Sequence, residues 1–287
     1  MKLIISMLFF FTLISCVSIP KKEYSFFIAG HTYGNPSERA KNIGLYKPFK
    51  DKTAFINNQE KMKHGFLLGD VVWGQNFWKR TQKDISRFNM PIHISRGNHD
   101  GKLENFEKLF GKSYKKFFNG KDLFVILDLN LDHWNISGEQ LTFLRNLLRI
   151  DAKKARNIFI FSHQILWFDK EKYSEPVPNS LYDRSERTNY WSEIEPLLLG
   201  TNKPTFVFAG DVGAFSKEKR KRNNPIEYSY YKERGISYVT SGMGGGVRDN
   251  FIIIDVYSDN SVRFRLIHLN GENINSLGKL EDYNNPN

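Results

Sequence analysis

The sequence predicts an α/β layered fold, and three observations carry that prediction. Short apolar runs of strand length recur along the chain, helical patterns separate several of them, and the last runs follow one another without a helix between. Strands are expected at Ser25–Ala29, Gly65–Leu68, Pro91–Ser95, Leu123–Leu127, Ile158–Phe161, Thr205–Ala209, Ile236–Thr240, Phe251–Val256 and Val262–Leu269. Helices are expected at Phe77–Phe88, Leu103–Phe110, Gly138–Ile150 and Trp191–Leu199. Ser137, with Gln140 three residues on, has the pattern of a capping box opening the third of these. Leu141, Leu144, Leu147 and Leu148 then give that helix an apolar face for a core. The late run of strands points to an antiparallel part. There is no repeat and no Gly-, Ser- or Pro-rich linker to divide the chain. The Asn-rich segment 271–287 is expected to be a flexible tail.

Composition narrows the function classes. The chain has 287 residues, 40% hydrophobic and 25% charged, which excludes wholesale disorder and allows a large core. One cysteine excludes a disulfide framework and a cysteine-based zinc cage within one chain. The net charge of +11 attracts anions, but the basic residues form no recognised nucleic-acid motif, so a sequence-specific nucleic-acid binder is rejected. The 24 Phe read as core and strand material.

The amino terminus carries a targeting pattern. Lys2 is followed by an uncharged, mostly apolar run, Leu3 to Ile14, too short to span a bilayer and suited to a signal peptide. It ends in Leu13-Ile14-Ser15-Cys16, which resembles a bacterial lipobox, with the chain's one cysteine at the lipidation position. That resemblance implies cleavage before Cys16, a lipid on Cys16, and a protein anchored at the cell envelope on its periplasmic or extracellular face. Segments 1–15 and 16–23 are then signal peptide and tether, and 24–270 is the folded domain. Val17 after the cysteine resembles the outer-membrane sorting pattern.

Polar residues follow the strands. Gly30-His31 comes after Ala29, Gly69-Asp70 after Leu68, and Arg96-Gly97-Asn98-His99-Asp100 after Ser95. Ser162-His163 follows Phe161, and Gly210-Asp211 follows Ala209. Ligands of open α/β sheets collect beyond the carboxyl ends of strands, where such loops converge. A glycine just before the polar residue lets the backbone turn beneath a ligand. Any one member is bland, since a Gly-Asp after a strand is usually a turn. Five in order are not.

These residues resemble the calcineurin-like metallophosphoesterases over roughly Tyr24 to Leu269. The most specific piece is Gly97-Asn98-His99-Asp100, which begins its polar triplet 28 residues beyond Asp70. Gly242, Gly244, Gly245 and Gly246 also resemble the family's glycine-rich turn. The resemblance implies a four-layer α/β/β/α sandwich with two mixed sheets. It implies Asp70 as a metal-bridging carboxylate, Asn98 and His163 as metal ligands, and His99, with Asp100 holding its tautomer, as the group that assists phosphoryl transfer. Two family ligands are replaced: Ala29 stands where the family has Asp, and Gly210-Asp211-Val212-Gly213 stands where it has Gly-His-x-His.

What remains is Asp70, Asn98, His163 and Asp211 around one ion, with His31 freed to contact a phosphate oxygen. Two carboxylates then neutralise one divalent cation. Such ligands suit Mn, Fe or Zn better than Mg. Arg96 offers a guanidinium fork to phosphate or is a loop arginine in solvent. Trp73 and Trp78 wall the pocket or pack in the core. Asp128 and Asn130 line the cleft or form a turn. His93 is expected to be a satisfied sheet residue, and His64, His133 and His268 have no assigned role. Asp169–Asn189 is long enough to be a lid, and Lys217–Arg222 is a basic run that meets polyanions or is simply solvated.

The expected function is hydrolysis of a phosphomonoester or phosphodiester, on a small molecule or an envelope polymer, by a lipid-anchored enzyme with one divalent ion. The rival is a non-catalytic lipoprotein that keeps the fold to bind a phosphorylated glycan, lipid or protein. Ala29 and Gly213 favour the rival; the intact Asn98-His99-Asp100 and His163 favour the enzyme.

Overall fold

The computed structural model describes residues 19–34, 44–169, 171–213, 227–269 and 280. Cys16, the signal segment, Lys217–Arg222 and almost all of the 271–287 tail lie outside the described residues. No helix among the described residues is long and apolar enough to cross a membrane.

The strands run in chain order as β1 (Lys22–Ala29), β2 (Met62–Leu67), β3 (Ile92–Ile94), β4 (Lys115–Asn119), β5 (Asp122–Ile126) and β6 (Ile158–Phe161). They continue with β7 (Thr205–Ala209), β8 (Tyr228–Glu233), β9 (Ile236–Ser241), β10 (Asn250–Tyr257) and β11 (Val262–His268). One sheet has the order β11-β10-β1-β2-β3 and the other β4-β5-β6-β7-β9-β8. In the first, β1 pairs parallel with β2 but antiparallel with β10. In the second, β5, β6, β7 and β9 are parallel, and β4 and β8 close the edges as antiparallel hairpin partners. Both sheets are therefore mixed, as the resemblance implied.

Side-chain alternation explains the layers. On β1, Phe26 and Ile28 point between the sheets, while Phe27 and Ala29 point to the outer helical layer. The inter-sheet layer is built largely of phenylalanine, with Phe66 and Phe161 stacked across the sheets at 3.8 Å and Phe26 wedged edge-on against Phe159. Burying one such ring contributes about 1.5–3 kcal/mol, so this layer dominates the core.

The outer layers comprise α1 (Lys47–Lys50), α2 (Thr53–Asn57), α3 (Trp78–Ile85), α4 (Leu103–Phe110), α5 (Gly138–Ile150) and α6 (Glu195–Leu199). The expected helix at Trp191–Leu199 is a π turn over Tyr190–Ile194 running into α6. Strands β4 and β8 were not expected. Neither alternates apolar and polar residues in sequence: β4 reads Lys-Lys-Phe-Phe-Asn, and β8 is buried mainly through tyrosines. Arg234-Gly235 joins β8 to β9 with φ of 49° and 87° at the two loop residues. The Ser137 capping box does not form. Gln140 instead accepts from the Asp128 amide at 2.7 Å and donates to the Asp128 carbonyl at 3.0 Å.

Candidate active site

The carboxyl ends of β1, β2, β6 and β7 bring His31, Asp70, His163 and Asp211 together, all almost fully buried. His31 and Asp70 both take positive φ, 56° and 49°, a strain that turns their side chains back over the strand ends. Asp70 is the hub. Its Oδ1 lies 3.3 Å from His163 Nε2 and accepts from the His99 amide at 3.1 Å. Its Oδ2 lies 3.5 Å from His31 Nε2. His163 Nε2 also lies 3.8 Å from Asp211 Oδ1. Gly97 makes this approach possible, since a Cβ there would meet the Asp70 amide nitrogen at 2.2 Å.

The imidazole tautomers follow from their outer partners. His163 Nδ1 faces the Leu68 carbonyl at 2.8 Å, and His31 Nδ1 faces the Met243 carbonyl at 3.0 Å. A carbonyl only accepts, so each Nδ1 carries a proton and each Nε2 directs its lone pair at Asp70 when the ring is neutral. Burial pushes His31 down to about 4, against the opposing pull of Asp70, so this ring is neutral near pH 7. His31 therefore presents an electron pair, not a proton.

His163 behaves differently. Burial opposes its charge, but Asp70 and Asp211 outweigh burial and push it up to about 10. Burial also raises Asp211, to about 8, although His163 and the facing amides of Ser180 and Asn179 favour its ionised form. Asp70 pays the same burial penalty, yet His163 and His31 hold its carboxyl well below the usual range. The metal-free cluster thus keeps a proton among His163, Asp211 and Asp70. His163 Nε2 is nonetheless not aligned for a hydrogen bond to any of them.

Does this set fit a metal ion? Two donors on a tetrahedral zinc, with bonds of about 2.0–2.1 Å, stand about 3.3 Å apart. The Asp70–His163 and Asp70–His31 separations match that edge, and the unaligned Nε2 of His163 is the kind of donor a cation would satisfy. Yet among the described residues no group of three or more His, Cys, Asp or Glu is arranged to hold a metal ion. The donors fit in pairs sharing Asp70, and Asp211 Oδ1 stands farther out, 3.8 Å from His163 Nε2. Asn98, the expected amide ligand, is exposed at the mouth.

Other expected residues find different work. Arg96 neither faces solvent nor reaches for phosphate: its Nε donates to buried Asp128 at 2.7 Å and its Nη1 to the Gly101 carbonyl at 3.2 Å. Asp100 does not hold the His99 ring. Its Oδ1 accepts from the amides of Val71 and Val72, and its Oδ2 from Gly97, which ties the Asn98-His99 loop to the Asp70 loop. Burial and nearby Asp70 push Asp100 up to about 7 despite those amides. His99 is half-buried, stacked on Trp73 at 4.5 Å and edge-on to Tyr33 at 5.5 Å. Trp73 thus walls the site, whereas Trp78 packs in the core and donates to the Asp100 carbonyl. Tyr33, two residues after His31, carried no signal in sequence because its value lies in its ring contacts.

Asn130 links the Arg96 carbonyl to Asp128, and Gln164 donates to Asn130 at 2.7 Å. The glycine-rich turn holds an internal anion: the amides of Gly244, Gly245 and Gly246 donate to Asp249. Gly213, in the slot of a family ligand, has φ of 100°, and a Cβ there would meet the Met243 amide nitrogen at 2.6 Å. Ala29 is buried in the outer core. His93 stacks on Phe117 and faces His64 at 3.3 Å, away from this cluster. The 169–189 connection is pinned at several points, including the Asn179 amide on the Asp211 carbonyl at 2.9 Å.

The calcineurin-like phosphoesterase family model matches residues 43–242. No curated protein matches the sequence. Among solved structures, the purple acid phosphatase PPD1 from yellow lupin (Lupinus luteus) seeds is similar at 15% identity, with a TM-score of 0.60 over 86% of this chain. This chain spans about half of that one, 51% of its length. Vps29 of Chaetomium thermophilum covers 85% of this chain and 97% of its own, at 11% identity and a TM-score of 0.36, a likeness too slight to bear on the fold. With two mixed sheets, flanking helices and the family pattern spread over 43–242, the chain belongs to the calcineurin-like phosphoesterase family.

Proposed function

We propose that the protein is a metal-dependent hydrolase of phosphomonoesters or phosphodiesters, lipid-anchored through Cys16 at a bacterial cell envelope. The observation that carries the reading is the convergence of the His31 and His163 Nε2 atoms on Asp70, with His99 beside them. Asp70, Asn98, His163 and Asp211 would hold one divalent ion, Mn, Fe or Zn ahead of Mg because His163 adds an imidazole to the oxygen donors. Bound there, such an ion would activate water and polarise the phosphoryl oxygen.

The chain's own residues supply the rest. His31 and His163 are fixed by backbone carbonyls, so their Nε2 atoms need no reorientation. His99 is half-buried and held between Trp73 and Tyr33, in position to give a proton to the leaving oxygen. Asp100 positions His99 through the loop backbone rather than through its ring. The replacements at Ala29 and Gly213 support the mononuclear reading, because neither position contributes a donor.

The test is hydrolysis of aryl phosphate mono- and diesters with Mn, Fe, Zn or Mg, alongside metal analysis of washed protein. Metal-stimulated turnover that falls about 10²–10⁴-fold in His99→Ala is expected. Wild type no faster than His99→Ala with every metal would move the assignment to a non-catalytic binder of phosphorylated partners. Two retained ions per chain would overturn the single-ion site.

A further inference from the structure

Resting on the phosphoesterase reading, we infer that Gln164 and Asn130 are positioning residues, which hold the loop carrying His99 at a fixed separation from the loop carrying His163. The two loops belong to different sheets. His163 follows β6 in the second sheet, and Asn98-His99 follows β3 at the edge of the first. The phenylalanine layer binds the sheets together, but hydrophobic contact is non-directional and sets no fine register at the strand ends. Directional bonds do.

A neutral chain of hydrogen bonds crosses between the two loops, beside the Arg96–Asp128 ion pair. The Ser162 hydroxyl donates to the Gln164 carbonyl at 3.0 Å and fixes its near end. Gln164 Nε2 donates to Asn130 Oδ1 at 2.7 Å. Asn130 Nδ2 in turn donates to the Arg96 carbonyl at 2.8 Å and to Asp128 Oδ1 at 3.2 Å. The Arg96 carbonyl and the Asp128 carboxylate only accept, so the Asn130 amide faces them with its nitrogen. Its Oδ1 is thereby turned to Gln164, which answers with Nε2. Gln164 Oε1 is left buried and meets no donor among the described residues. The residue is 2% exposed, and a buried amide satisfied on one side only is a poor stabiliser. A methionine would fill the same space without an orphan acceptor. Natural chains keep such features chiefly where geometry matters more than stability.

The test compares Gln164→Met, Asn130→Ala and the double variant, each in the full chain. Amide hydrogen exchange reads the lock without turnover. The Gly97 and His99 amides, which donate to Asp100 and Asp70, should exchange about tenfold faster in each single variant. The double variant should add nothing further, because both changes break one chain. The β6 amides and the urea midpoint of Gln164→Met should stay at wild-type values. Turnover reads the consequence at His99. Phenyl phosphate, whose poor leaving group needs a proton, should lose about tenfold more kcat than p-nitrophenyl phosphate, with KM unchanged. Unchanged exchange at Gly97 and His99, exchange that rises throughout the fold, additive effects in the double variant, or equal losses on the two esters would overturn the inference. The expected local exchange in a protein that hydrolyses neither ester under any metal would instead defeat the hydrolase reading and leave the lock standing.

Discussion

The buried pair Arg96–Asp128 carries the prediction that tests the site's architecture most directly. Asp128 is fully buried and accepts from Arg96 Nε and from both the amide and the side chain of Asn130. Arg96 also reaches the Gly101 carbonyl, so the pair grips the Gly97–Asp100 loop at both ends. Replacing one partner strands the other charge in the interior, at a cost of about 3–5 kcal/mol. Arg96→Met and Asp128→Leu should each lose about that much. If the sites were independent, the double variant would lose about 6–10 kcal/mol. It leaves no orphan charge, however, so it should lose only about 1–3 kcal/mol, chiefly from the Gly101 and Asn130 bonds. Urea unfolding of the four proteins gives the coupling, expected at about 3 kcal/mol or more. Aryl-phosphate turnover should drop in both single variants, because the His99 amide loses its fixed distance from Asp70. Single losses that add within about 0.5 kcal/mol would refute the idea that the pair acts as a unit.

Restoring the family residue at Gly213 should fail: Gly213→His must occupy a φ of 100° against the Met243 backbone. A loss of about 1–3 kcal/mol in thermal or urea unfolding, with no additional ion in metal analysis, is expected; native stability with two bound ions would contradict it. Acid should weaken the fold through His93, pushed down to about 3 by burial and then by His64 and Lys115. The unfolded chain takes up that proton first, so the contribution is intact above about pH 6.5 and lost as pH falls toward the folded value. His93→Phe keeps the stack on Phe66 and Phe117 and should flatten the acid-side slope by up to about 1.4 kcal/mol per pH unit. Parallel slopes for the two proteins would remove His93 from the account.

The sequence alone determined the layered α/β class, the strand ends and the order of His31, Asp70, Asn98, His99, His163 and Asp211, because these are local signals. Apolar period, a glycine before a polar residue and the length of a run act within a few neighbours. The same locality explains the misses. Ser137 and Gln140 have capping-box spacing, but Gln140 is claimed by Asp128, 12 residues upstream. Arg96 reads as a phosphate fork until Asp128 arrives from another strand end, 32 residues on.

Tertiary structure decided whether each side chain at the cleft gives a proton, takes one or stays inert. His31 turns its Nε2 to Asp70 because the Met243 carbonyl lies against its Nδ1 across 212 residues of chain, and His163 because Leu68 does so across 95. Asp100 became a backbone clamp for the same reason. The residue type sets what chemistry is available. Which atom is free to perform it depends on partners that only tertiary packing brings to within 3.0 Å.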